Sequence, residues 1–381
     1  AFSIDAMLPA LPQIAAEVTP DDPNRAQLVV TSFILGMGLG TLVTGPLSDT
    51  LGRKRVILGF AGIYIAGALL AASAQSLELM IAGRIVQGFG AAGPRVVALA
   101  IIRDLHSGRR MARIMSFMLV IFALVPAIAP LVGAGIMALT GWRGIFLAFV
   151  LFCLAGAAWL ALRQAETLAP RNRRPFRPGA LALGVREIVA NRMVSLAILA
   201  QAMCFGMLFA TISSIQQVFA RTFGMAETFP LWFGAIALIA GSASLLNAAL
   251  VERLGMRRIV TFTLGVQVGL TSLALAATAS GALPPDAAFW VYFAWSTGIF
   301  FQAGLTLGNI NALAMEPLGH LAGLGASVIG SVATVLSVAV AVPIGLAFDG
   351  TPVPLMLGTL VLAVGAFATM QALRRIEAQT A

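Results

Sequence analysis

The sequence predicts an all-α membrane protein with twelve transmembrane helices in two six-helix halves. Three observations predict it. The 381 residues are 59% hydrophobic and 10% charged, with a mean hydropathy of +0.95, whereas a soluble domain is nearer half apolar and a quarter charged. The apolar residues gather into twelve runs, most of them about 20 residues or longer, the length that crosses a hydrocarbon core about 30 Å thick as a helix. A basic turn also recurs after a shift of 203 residues.

The twelve segments run approximately over 1–18, 26–48, 56–75, 77–101, 114–139, 143–163, 193–216, 228–251, 258–280, 287–313, 321–347 and 353–373. Barrel strands are about ten residues long and alternate apolar with polar. These runs are longer and apolar throughout, and a backbone without water must satisfy itself as helix. Segment 1 opens at Ala1 inside an apolar run with no charged region before it. It does not read as a signal peptide, and the native N-terminus is expected to lie upstream.

The connections alternate in charge. Those after even-numbered segments, with the C-terminus, carry 19 of the 24 Lys and Arg residues, and those after odd-numbered segments carry 3. Arg84 and Arg95 fall inside segment 4. The bias places the first set in the cytoplasm, with both native termini there. The longest connection, 164–192, holds "RQAETLAPRNRRPFRPG", a basic Pro-rich cytoplasmic linker. It divides the chain into residues 1–163 and 193–381.

The recurring turn supports that division. "LSDTLGRKRVI" overlies "LVERLGMRRIV", matching Asp49 with Glu252, Gly52 with Gly255 and Arg55 with Arg258. Both turns join the second and third segments of a half. Two parallel six-helix repeats around a cavity are one established transporter plan.

Several function classes are excluded. The net charge of +9 sits at the ends of apolar runs, so it reports membrane orientation rather than nucleic-acid binding. Cys153 and Cys204 lie inside apolar runs, and His106 and His320 are far apart; no metal or disulfide framework follows. No phosphate-binding G-x-x-x-x-G-K-[ST] loop occurs, and no Ser/His/Asp cluster suggests an enzyme. No cofactor is expected.

Several motifs resemble the major facilitator superfamily, and within it the twelve-helix drug:proton antiporters. "GPLSDTLGRKR" from Gly45 is similar to its signature between segments 2 and 3. "RIVQGFGAAGPR" from Arg84 is similar to its segment 4 motif, "VPAIAPLVGAGI" from Val125 to a loose segment 5 antiporter motif, and "DAMLPALP" from Asp5 to its segment 1 motif. "NAALVERLGMRR" and "NALAMEPLGHLAG" resemble the bicyclomycin/chloramphenicol-resistance (Bcr/CflA) branch. There are departures. Ala129 stands before Pro130 where the motif has Gly, its final Gly pair is split as Gly133 and Gly135, and Arg95 is a second Arg in segment 4.

Asp5 lies roughly 20 Å below the outer end of its segment at 1.5 Å per residue, near the membrane middle. An ionisable residue there is a functional candidate, so Asp5 is the expected proton carrier. The resemblance implies that Arg84 faces segment 1 and biases Asp5; the alternative is a structural pairing with carbonyls. Arg95 either faces the cavity or snorkels. The resemblance also implies that Asp49 approaches the N-terminal end of segment 11, where the helix dipole favours an anion. With Gly52, Arg53, Arg103 and Asp104 it would form a conformational latch between the halves on the cytoplasmic side, stabilising the outward-open state. Pro126, Pro130, Gly133 and Gly135 would kink segment 5 and let segment 8 pack closely at Gly234 and Gly241. Met7, Phe117, Gln201, Phe205, Trp232, Phe301, Gln302, Asn309 and Asn311 are candidate cavity residues.

The expected function is proton-coupled efflux of small amphipathic drugs across the bacterial inner membrane by a monomer working through alternating access. The partners are the drug, protons and membrane lipid. The alternatives are an exporter of an endogenous metabolite, an uncoupled facilitator and a transport-dead receptor.

Overall fold

The computed structural model describes residues 2–380 except 174, 176 and 177. Ala1, Arg174 and Arg177 therefore lie outside the described residues, as does the His320 side chain. Among the described residues the secondary structure is entirely helical.

Segment 1 is not one helix. It comprises α1 (Phe2–Asp5), a short 3-10 turn and α2 (Leu11–Val18). Pro9 and Pro12 explain the break. Proline has no N–H and crowds the carbonyl four residues back, which for Pro9 is that of Asp5. The chain continues through α3 (Leu28–Leu51), α4 (Arg53–Ala72), α5 (Leu77–Leu105) and α6 (Gly108–Arg163). Segments 5 and 6 meet within α6 at Gly141, whose φ of 70° breaks the helix. The second half holds α8 (Arg192–Arg221), α9 (Phe229–Leu254), α10 (Met256–Ala279), α11 (Pro285–Met315), α12 (Ala322–Leu346) and α13 (Val353–Thr380).

Among the described residues, nine helical stretches are long and apolar enough to cross a membrane. One of them, Leu124–Arg163, contains the junction of segments 5 and 6. The broken segment 1 and α11, whose Trp, Tyr, Gln and Asn residues lower its hydropathy, complete the twelve predicted crossings.

The connection 164–192 differs from its expectation as a plain linker. It contains α7 (Pro178–Ala190), which packs against α8 and α12. Val185 and Ile188 lie three residues apart, so they share a face, and Ile188 is fully buried. The apolar spacing after the last proline is helical, and neighbouring helices cover it.

The internal repeat appears in the backbone. Gly52 ends α3 with φ 103° and ψ 154°; Gly255 ends α9 with φ 79° and ψ 149°. Positive φ suits glycine because no Cβ clashes, so both copies make the same turn with the same residue.

Helix α5 is wedged between α3 and α4. A Cβ at Gly88 would overlap the Phe33 carbonyl, and one at Gly90 the Tyr64 amide. Small residues let membrane helices approach to backbone contact. This wedge fixes which face of α5 is left to line the interior. Gly88→Leu should therefore lower the melting temperature of purified protein by at least about 5 °C, or abolish folded yield. Gly59→Ala, with open space around it, should not; equal melting of the two variants would contradict the wedge.

Candidate functional site

A cavity of 1190 Å³ lies between the halves. Its wall runs from Thr41, Arg95, Gln201 and Gly330 to Asp49 and Arg103 at helix ends. Thr41 and Arg95 are each ten residues from the end of their helix, so the cavity reaches roughly 15 Å inward, about half the hydrocarbon thickness. It lies on the Arg-rich side of the molecule.

The opposite end is closed by uncharged hydrogen bonds across the halves. Gln27 Nε2 donates to Gln217 Oε1 at 2.6 Å and to the Gly345 carbonyl at 2.9 Å. Ser214 Oγ donates to Gln27 Oε1 at 3.0 Å. Gln217 Nε2 donates to Asn24 Oδ1, and Asn24 Nδ2 to the Phe348 carbonyl at 2.7 Å. A Cβ at Gly345 would overlap the Gln27 amide, so glycine there is what lets the amide close. The sequence reading passed over this set. Its only signal is Asn and Gln at the ends of apolar runs.

Arg84 is fully buried beside segment 1. Its guanidinium donates to the Ser3 carbonyl at 3.1 Å, the Val29 carbonyl at 2.9 Å and Gln87 Oε1 at 2.7 Å. It also lies 4.3 Å from the Phe33 ring centroid, a favourable cation–π distance. Arg84 thus faces segment 1, but through Ser3 rather than Asp5. Of the two pairings the sequence left open, the geometry gives the carbonyls. Ser3 Oγ and Tyr64 Oη are 2.7 Å apart, extending the hub to α4.

Asp5 is 4% exposed. Among the described residues no ion pair involves its carboxylate. It sits where segment 1 breaks, and Gly133 of α6 packs against the next carbonyl, that of Ala6. Asp5 is not part of the cavity wall.

The latch residues form a cluster different from the one expected. Arg53 Nη1 pairs with Asp49 Oδ1 at 2.5 Å, and Arg53 Nε with Asp104 Oδ2 at 3.1 Å. In this structure, which is open at the Arg-rich end, Asp49 binds Arg53, one turn away. Arg103 does not join the cluster. It is exposed in the cavity wall.

Glu166 was missed. Its carboxylate accepts from the backbone amides of Arg53 at 2.8 Å and Lys54 at 3.1 Å, the unpaired N–H groups at the start of α4. Thr167 Oγ1 donates to Asp104 at 3.1 Å. The linker thus pins the distant α3–α4 turn. An acid ahead of the linker arginines was the available signal.

Pro126, Pro130 and Gly133 lie within α6, and α6 packs against α9 as expected. That contact uses Gly234, where a Cβ would sit 2.9 Å from the Ala127 carbonyl. Gly133 faces α1 instead, and Gly135 faces open space.

Of the candidate cavity residues, Gln201, Phe205 and Asn311 line the cavity. The others do not. Met7 is buried. Phe117 is exposed outside the cavity. Trp232 packs with Phe289 at 5.0 Å between ring centroids. Phe301 and Gln302 line a separate groove of α9, α10 and α11. Asn309 donates to Asn247 Oδ1 at 2.6 Å. Arg95, whose direction the sequence left open, lines the cavity.

Residues 1–342 match the family model described as Major Facilitator Superfamily. The "Bicyclomycin resistance protein homolog" of Haemophilus influenzae is 31% identical over 335 residues, covering 87% of this chain and 82% of that protein. The "Chloramphenicol resistance protein" of Pseudomonas aeruginosa is 34% identical over 161 residues, 42% of this chain and 38% of that one. Among solved structures, the D-xylose-proton symporter superposes with a TM-score of 0.75 at 13% identity, covering 97% of this chain and 94% of that one. That likeness carries the fold. With the cavity between two six-helix halves, these matches make the protein a multi-pass membrane transporter and not an enzyme, and the chain belongs to the Major Facilitator Superfamily.

Proposed function

We propose that the protein exports small amphipathic drugs across the bacterial inner membrane in exchange for protons, as a monomer working by alternating access. The observation that carries this reading is the asymmetry of the halves, sealed at one end and parted by a cavity at the other. Charge bias makes the Arg-rich end cytoplasmic, so the cavity is where a compound enters from inside. In this reading residues 1–163 and 193–381 move as the two bodies and 164–192 joins them. The resistance-protein names of the relatives support a drug as cargo.

Asp5 is the proposed proton carrier. A carboxylate held near the membrane middle without an ion pair is costly when charged. Loading a proton removes that cost, and release becomes favourable when the surroundings wet. Arg84, locked on carbonyls, fixes the backbone around Asp5 and adds positive potential. Asp49, Arg53 and Asp104 hold the α3–α4 turn, and Arg53 is released to rearrange when the cytoplasmic ends close. Asp5 standing outside the cavity wall favours a second reading, an uncoupled facilitator.

The test is proton release from reconstituted protein on adding chloramphenicol or bicyclomycin. Wild type is expected to release protons with drug, and Asp5→Asn to lose at least about tenfold of that signal. Equal release from the mutant removes Asp5 from the role; drug movement with no proton release from wild type selects the facilitator.

The sealed end yields a further expectation. Gln27→Leu leaves the Gln217 and Ser214 groups without their partner, at about 1–3 kcal/mol for each unsatisfied group. The seal should open more often, and a cysteine at Ser213 should alkylate at least about tenfold faster than in the parent protein. An unchanged rate would mean that these hydrogen bonds do not hold the end shut.

A further inference from the structure

We infer that the cargo is an amphipathic organic anion and that Arg95 is the residue that selects it. The inference rests on the export reading and names its substrate class. Arg95 lies on α5 eleven residues beyond Arg84. Eleven residues are three helical turns, so the two arginines share a face about 16 Å apart along the axis. The wedge of α5 between α3 and α4 fixes that face. Gly93 packs on Phe60 and Gly40 on the Phe89 carbonyl, which leaves Arg95, Leu99 and Arg103 to line the cavity.

The cavity wall is unbalanced in charge. Its cations are Arg53, Arg95 and Arg103, and its one acid among the described residues is Asp49. Asp49 is already paired with Arg53. Among the described residues, neither Arg95 nor Arg103 has an ion pair or hydrogen bond. A guanidinium stays charged at any working pH, and within membrane depth it demands an anion, carbonyls or water. Among the described residues, Arg95 has no counterpart of the three hydrogen-bond partners that hold Arg84. It is a free five-donor fork halfway across the membrane, suited to a carboxylate, sulfonate or phosphate.

The rest of the wall describes the remainder of the ligand. Gln201 is 4% exposed and lines the same cavity, and its Oε1 has no hydrogen-bond partner. A buried acceptor left open in a cavity wall calls for a donor on what enters. Phe205 supplies an aromatic surface, stacked on Phe209 at 5.3 Å between centroids. The matching ligand carries an anionic group, an N–H or O–H donor and an apolar or aromatic body.

A matched set of probes tests this: dansylglycine (carboxylate), dansylglycinamide (neutral) and dansylcadaverine (cation). Binding is read by dansyl fluorescence in phosphatidylcholine nanodiscs, where no anionic lipid competes, and transport in proteoliposomes. Wild type should bind the carboxylate about tenfold or more tighter than the amide, the size of effect a charge-assisted hydrogen bond gives. Arg95→Gln should bring the carboxylate-to-amide ratio near one, and Arg95→Lys should restore part of it. Each variant is first shown monodisperse with wild-type melting; should Arg95→Gln misfold, Arg95→Lys and the wild-type ratio carry the test. A preference for the cation, or a ratio unchanged in Arg95→Gln, overturns the inference while export of the amide or the cation keeps the transport reading. No transport of any probe removes both. Loss of the preference when phosphatidylglycerol is added would assign Arg95 to lipid headgroups and also overturn the inference.

Discussion

The amide network of Asn24, Gln27 and Gln217 joins the halves at one end of the molecule, and the rest of the architecture follows from it. With that end joined, α3 and α12 cross in contact, Gly38 against Thr334 and Gly45 against Ser327. The remaining helices part toward the Arg-rich end and leave the cavity. The network is neutral, so its groups exchange protein partners for water without the desolvation penalty that a buried ion pair carries. A seal of this kind is firm enough to close one state and weak enough to be left behind in the next.

The charged groups are arranged differently. Arg53, Asp49 and Asp104 of the first half gather with Glu166 at the turn between α3 and α4. Glu166 belongs to the connection 164–192, whose later part, α7, packs on α8 and α12. One connection therefore holds the basic turn of the first half and the helix ends of the second. In the proposed cycle, movement between the halves would strain or slide this piece, giving it a part beyond that of a tether.

Much of the fold was legible in the sequence because lipid imposes it. Apolar runs of membrane length, the alternation of Arg-rich connections and the Gly52/Gly255 repeat each reflect a constraint acting on one helix or one turn. Arg84 was legible for the same reason, as a charge inside an apolar run. Carbonyl pairing was one of its two open readings, but which carbonyls was not legible, because no residue type reveals them. The pairing of Asp49 with Arg53 was not foreseen either, although four residues along the chain bring the two groups within reach. Gln27 and Gln217 were invisible as a site because polar residues at helix ends read as solvated. The cavity residues split for a related reason: Gln201, Phe205 and Asn311 face inward while Phe301 and Trp232 do not, and helix rotation is set by glycine contacts with neighbours, not by hydropathy.

In the proposed export cycle, closure at one end and opening at the other are a single equilibrium. Double electron–electron resonance can follow both ends at once. Spin labels at Asp21 and Glu227 report the sealed end, and labels at Arg109 and Glu252 the Arg-rich end, with Cys153 and Cys204 replaced by Ser. All four labelled positions are exposed. On changing pH or adding a transported compound, the first distance should lengthen as the second shortens, with matching population shifts. Independent changes, or a single fixed distance at both ends, would contradict the account.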